Sequence, residues 1–241
     1  MISTQGNILE VKDIKASYGP FNALFGVSFV VPAGSTVALL GANGAGKSTV
    51  ARVISGLVHA NSGSVEFAGI DVTRWSAWKI ARAGMSHAPE GRAVFGSLTV
   101  HENLALSFRQ SVGAPLMKTA TERAYQAFPR LRERSDQLAE TLSGGEQRML
   151  ALARVLAVPP RLIVVDELSL GLAPVMVDEV FTALRTMKEH GTSILVVEQH
   201  VNRALDLADS VVVLSKGIVT HQGPVCELGD KLEQLIPKLN N

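Results

Sequence analysis

The densest chemistry in the chain is the nonapeptide Gly41–Thr49, GANGAGKST. A loop of the form GxxxxGK[ST] cradles phosphate: its glycines let successive backbone N–H groups converge on anionic oxygens. Gly41, Ala42, Asn43, Gly44, Ala45 and Gly46 would form the cradle and Lys47 would reach the β- and γ-phosphates. Ser48 would offer its hydroxyl to Mg²⁺, and Thr49 opens the following helix. That chemistry requires a strand before the loop and a helix after it. The apolar run Thr36–Leu40 and the periodic segment Val50–Leu57 supply both. Background usage makes a chance match to the fixed positions about a 1% event in a chain of this length.

A second constellation is Asp166-Glu167, which closes the apolar run Leu162–Val165. A continuous apolar run marks a strand buried on both faces of a parallel sheet, and the C-terminal end of such a strand is where α/β sheets place ligands. Beside the glycine loop, Asp166 reads as the acid of the Mg²⁺ shell and Glu167 as the group that polarises attacking water. The bland alternative is an N-cap pair after a strand.

Two further stretches carry two readings each. Ser143-Gly144-Gly145-Glu146 is an S-x-x-E capping box, and it also exposes helix N–H groups to an anion. Tyr18 lies in the turn former Ser17-Tyr18-Gly19-Pro20, where it either plugs the surface or stacks on adenine.

The elements that must hold these groups follow from pattern. Ile8–Ala16, Val27–Val31 and Ser64–Ala68 read as strands of a small sheet rich in hairpin signals. Trp75–Arg82 reads as a short helix closed by Gly84, with Trp75 and Trp78 packing on one face. Met85–Phe95 leaves the strand pattern, and Thr99-Val100-His101-Glu102 starts a helix with a capping box. From there to about Pro159 the pattern is helical, with Thr119–Phe128 and Glu146–Ala157 as helices and no convincing strand. After Asp166, a helix over Val175–His190, strands at Ser193–Val197 and Val211–Leu214, and a helix over Val201–Ala208 alternate. Ile218–His221 reads as an edge hairpin, and the tail after Gly229 as a short helix. The expected fold is α/β: a P-loop core with a mainly parallel sheet, a small antiparallel β-subdomain and an inserted α-helical subdomain.

Composition narrows the function. The chain has 241 residues, 46% of them hydrophobic, which suffices for one large domain with a sizeable core. Its 23 basic and 22 acidic residues leave a net charge of +1, so no basic footprint for nucleic acid is expected. The single cysteine, Cys226, excludes an internal disulfide and is given no role. No window approaches the ~18 apolar residues of a membrane span, and the opening residues lack the pattern of a secretory signal, so a soluble protein is expected.

Taken together, Tyr18, GANGAGKST, LSGGEQ (Leu142–Gln147), LIVVDE (Leu162–Glu167) and the polar residues after Val197 resemble the ATPase subunit of ATP-binding cassette (ABC) transporters. The likeness covers essentially the whole chain, and LSGGEQ is its most specific part. It implies one cassette with a core over 1–90 and 160–241 and a helical subdomain over 91–159. It also implies a head-to-tail dimer holding two ATP molecules, with Ser143, Gly144, Gly145 and Glu146 of one subunit facing the phosphate loop of the other. By the same likeness Tyr18 stacks on adenine and Glu167 is the catalytic carboxylate.

Two positions depart from the usual pattern of that family. Glu90 stands where most members carry a Mg²⁺-sensing glutamine, and a carboxylate there can ligate Mg²⁺ but adds negative charge. Gln199 stands where most carry a switch histidine, with His200 one residue later as the alternative contact to the γ-phosphate. PEGRAVF (Pro89–Phe95), LGLAP (Leu170–Pro174) and VEQ (Val197–Gln199) look like the smaller ATPase of branched-chain amino-acid importers or urea importers. That likeness implies two transmembrane permease subunits, a second ABC ATPase forming a hetero- or homodimer, and an external solute-binding protein. It implies a peripheral position on the cytoplasmic face of the plasma membrane and no nucleic-acid partner. Other readings are lipid or polysaccharide export, a non-transport ABC ATPase, and a regulatory subunit with little hydrolysis.

Overall fold

The computed structural model describes residues 6–88, 94–111, 113–167, 173–198 and 201–228. β1 (Asn7–Tyr18) and β2 (Phe21–Pro32) form an antiparallel hairpin across Gly19-Pro20, with Tyr18 opposite Phe21. β3 (Thr36–Leu40) then runs into the glycine loop and α1 (Lys47–Ile54). β4 (Ser62–Phe67), β5 (Ile70–Asp71), α2 (Ala77–Arg82) and β6 (Met85–Ala88) follow. A helical stretch comprises α3 (Val100–Ser111), α4 (Ala114–Ala127), α5 (Pro129–Glu133) and α6 (Gly144–Leu156). The chain continues with β7 (Leu162–Asp166), α7 (Pro174–Glu189), β8 (Ser193–Glu198), α8 (Val201–Leu207), β9 (Ser210–Ser215) and β10 (Ile218–Pro224).

The chain divides into two compact units. One takes in the described residues of 1–87, 161–167 and 190–241, and the other those of 88–160 and 168–189.

The first unit holds two sheets. The six-stranded sheet has the order β10-β9-β3-β8-β7-β6. β9, β3, β8 and β7 are parallel, and β10 returns antiparallel to β9. β3, β7 and β8 are buried at every position, as strands covered on both faces must be. The four-stranded sheet, β2-β1-β4-β5, is antiparallel and buries one face: Leu24, Val27, Phe29 and Val31 of β2 point into the core, while Phe25 and Val30 are exposed.

The second unit is helical, and its described residues form no named strand apart from Ala88 at the end of β6. α3 packs on α4 and α6 around Leu104, Phe108, Phe128, Leu131 and Met149. Thr99 and Glu102 make the reciprocal capping box of α3, with Glu102 N–H to Thr99 Oγ1 at 3.1 Å and Thr99 N–H to Glu102 Oε2 at 2.7 Å. Buried Asn103 accepts from Phe95 N–H (2.8 Å) and donates to the Phe95 and Thr99 carbonyls, which fixes the entry to this helix.

Several elements differ from the sequence pattern. β2 begins at Phe21 rather than Val27, because Gly26 (φ 106°) interrupts the alternation without ending the pairing. Tyr18 is therefore the last residue of a strand beside a two-residue connection. Met85–Ala88 is a strand rather than a departure from one: β6 is an edge strand whose two central residues, Ser86 and His87, mask its apolar signal. α2 starts at Ala77, so the two tryptophans do not share a helical face. Trp75 packs partly buried on the core under the Lys79 ammonium (3.8 Å), whereas Trp78 is 63% exposed. The expected helix after Gly229 lies outside the described residues.

Candidate functional site

The glycine loop is held by close backbone approaches. A Cβ on Gly41 would stand 2.4 Å from the Leu214 carbonyl oxygen, so only glycine lets the loop leave β3 against β9. Gly46 adopts φ 104°, and a Cβ there would meet Leu24 at 2.9 Å and the Ala23 oxygen at 3.1 Å. α1 begins at Lys47 with Gly46 as N-cap and no side-chain cap. Its first N–H groups are therefore presented to whatever enters the loop, together with the positive end of the helix.

The candidate side chains converge here from the start of α1 and the end of β7. The Lys47 ammonium is buried and donates to the carbonyls of Gly41 (2.9 Å) and Ala42 (3.2 Å), with Glu167 Oε1 at 3.5 Å. Ser48 Oγ donates to Asp166 Oδ1 at 3.1 Å, and Asp166 is almost fully buried at the end of β7. Glu167 leaves the strand in the left-handed region (φ 49°), with its N–H bonded to the Val197 carbonyl at 2.9 Å. That unusual conformation in a non-glycine residue turns the carboxylate from the sheet towards Lys47. The two residues of the Asp-Glu pair thus have different surroundings: one meets a hydroxyl, the other an ammonium.

A cavity of about 400 Å³ opens over this cluster. Gly44, Gly46, Lys47, Ser48, Thr49 and Glu167 form part of its wall, with Asn43. Sequence reasoning missed the rest: Asn22, Ala23 and Phe25 of β2, and Lys216 of the β9–β10 turn. The Lys216-Gly217 turn was legible as a hairpin, but no local signal links it to a loop so distant in the chain. Tyr18 is 42% exposed and is not among the residues that line the cavity.

In the helical unit, Ser143 caps α6. Its Oγ accepts from Glu146 N–H (3.3 Å), and its own N–H donates to Glu146 Oε2 (2.9 Å). Arg134 Nε donates to the other carboxylate oxygen at 2.9 Å. Burial pushes the Glu146 carboxyl up, but the Ser143 hydrogen bonds and the Arg134 and Arg130 charges outweigh it and hold the group below its ordinary value. Ser143 and Gly144 are exposed, and a Cβ on Gly144 would meet nothing within 4 Å. The capping reading therefore holds, and the surface above it is open. Gln147, also of the LSGGEQ stretch, is buried and donates to the Ala139 carbonyl at 2.8 Å. Glu90, Gln199 and His200 lie outside the described residues.

The site combines an uncapped helix N-terminus, a buried lysine, a hydroxyl paired with a buried carboxylate, and a second carboxylate beside the lysine. Such a set is chemically suited to a nucleoside polyphosphate and to phosphoryl transfer to water. No helix of the described residues is long and apolar enough to cross a membrane.

Comparison with known proteins agrees with this chemistry. The ABC transporter family model matches residues 24–169. The branched-chain amino acid transport ATP-binding protein BraG of Pseudomonas aeruginosa is 41% identical over 217 residues, covering 89% of this chain and 92% of its own. A probable branched-chain amino acid transport ATP-binding protein, LivF of Archaeoglobus fulgidus, is 33% identical and covers 95% and 98%. Among solved structures, an ATP-binding subunit of an ABC transporter superposes with a TM-score of 0.85 at 28% identity, covering 96% of this chain and 99% of that one. The α/β P-loop fold and the nucleotide chemistry thus have one source: this chain belongs to the ABC transporter family, as an ATP-binding subunit whose ATPase activity is coupled to transport.

Proposed function

We propose that this chain is the ATP-hydrolysing motor of an importer for branched-chain or related amino acids. The observation that carries the hydrolytic part is the pairing of Ser48 with Asp166 beside Glu167 and Lys47. Ser48 Oγ and Asp166 Oδ1 lie 3.1 Å apart, two oxygens of the kind that would ligate a hard cation such as Mg²⁺. Bound there, Mg²⁺ would neutralise charge on the phosphate oxygens. The loop N–H groups and Lys47 hold the β- and γ-phosphates, Tyr18 stacks on adenine, and Glu167 takes a proton from the attacking water. Ser143, Gly144 and Gly145, with Glu146 fixing their geometry, contact the γ-phosphate of a partner cassette in a head-to-tail pair. Glu90 would add a carboxylate to the metal shell, and Gln199, or His200, would contact the γ-phosphate.

The cargo reading rests on the likeness to BraG and LivF over most of the chain. It brings two permease subunits, a second ATPase, an external solute-binding protein and a position on the cytoplasmic membrane face. Glu167→Gln tests the catalytic assignment. The variant is expected to bind ATP while turning over at least about 10²-fold more slowly, the scale of losing a general base. Near-normal turnover would remove Glu167 from that role.

A further inference from the structure

We propose that Lys216 is a second cationic contact for the phosphate chain of the bound nucleotide, an inference that rests on ATP occupying the glycine-loop cavity. Three observations meet at this residue. First, Lys216 lines the same cavity as Lys47, Ser48 and Thr49. Second, its ammonium has no ion-pair or hydrogen-bond partner among the described residues, whereas the three donors of Lys47 already face the Gly41 and Ala42 carbonyls and Glu167. Of the two lysines among the described residues of the cavity wall, Lys216 is the one whose donors face no such partner. Third, the turn that carries it is built to stay in place.

That third point is a matter of backbone contacts. Gly217 N–H donates to the Ala45 carbonyl inside the glycine loop at 2.9 Å, and the Gly217 carbonyl accepts from Phe25 N–H at 2.9 Å. A Cβ on Gly217 would stand 2.4 Å from the Ala23 oxygen and 2.7 Å from the Phe25 ring. β2, the loop and the β9–β10 turn are therefore clamped at one point. Lys216 takes φ 48° there, a conformation a lysine adopts at a cost and glycine adopts freely. The two-residue turn requires positive φ at both Lys216 and Gly217, so the hairpin and the Gly217 bonds together fix where the Lys216 side chain leaves the backbone at the cavity wall.

The conformation supplies the discriminating test. Lys216→Gly removes the charge while easing the backbone, so a purely structural role predicts unchanged or improved behaviour. Lys216→Arg keeps the charge. ATP binding to the full chain is measured by calorimetry at two salt concentrations for both variants, for Lys216→Ala and for the wild type. The glycine and alanine variants are expected to bind ATP about fivefold more weakly, with a shallower salt dependence, while arginine stays within about twofold of wild type. The glycine variant should melt no lower than wild type. If the wild type binds ATP and Lys216→Gly binds it equally well, the Lys216 assignment fails and the ATPase reading stands. Weakening in all three variants, arginine included, would assign the effect to turn geometry and overturn the charge role. Absence of ATP binding by the wild type would sink both.

Discussion

Individual side chains in the first unit have environments that set their protonation, and His87 shows it most clearly. Both its ring nitrogens are sealed from solvent with no hydrogen-bond partner among the described residues. Burial, with the nearby Arg52 charge, lowers its pKa from 6.5 to about 4. Below 6.5 the unfolded chain takes up this proton while the folded chain does not, so the His87 contribution to stability falls with pH and is lost by about pH 4. The shift corresponds to roughly 3 kcal/mol across that window. His87→Leu should flatten the decline in melting temperature between pH 7 and pH 4. An unchanged slope would place the acid sensitivity elsewhere. That Lys47 and Ser48 stand together, and Asp166 and Glu167 together, was legible from their short spacing within each motif, and the structure brings the two pairs into contact. His87 and Lys216 were not, because their meaning comes from neighbours far off in sequence.

At the scale of elements, the strands buried on both faces were read at nearly their observed limits, since continuous apolar runs leave little choice. β6 and the first half of β2 were not, because two polar residues and one glycine break the pattern that burial normally writes. The start of α6 was legible as a cap, and the proposed contact with phosphate can be tested apart from it. Ser143→Ala should cost about 1 kcal/mol and a few degrees in melting temperature through the lost cap. Ser143→Asn keeps an efficient, uncharged N-cap able to face the Glu146 carboxylate, which takes the Ser143 hydroxyl proton at 2.7 Å, but replaces the small hydroxyl at the exposed helix start with a larger amide. If Ser143 also meets the γ-phosphate of a partner cassette, the asparagine variant keeps its melting temperature and loses ATP turnover at saturating protein. Wild-type turnover by Ser143→Asn would leave Ser143 with the cap alone.

At the scale of the molecule, the chain belongs to a family of ATP-binding subunits and has no helix, among the described residues, able to span a bilayer. Its net charge of +1 gives it no broad electrostatic attraction to membranes or nucleic acid. We propose that coupling to transport runs through contacts with membrane-spanning partners, and that those partners, not the phosphate chemistry, select the cargo. Tagging this chain in its native cell and solubilising membranes in mild detergent should recover it with two multispanning permeases and a second, similar ATPase. Operon-independent proteomics of that complex, followed by uptake assays with leucine, isoleucine, valine and urea, assigns the cargo. Recovery with a single ATPase species and export permeases would replace the import reading with export while leaving the ATP site as described. Recovery only in the soluble fraction with ribosomes or nucleic acid would overturn the proposed membrane complex, against the expectation from the balanced charge of the chain.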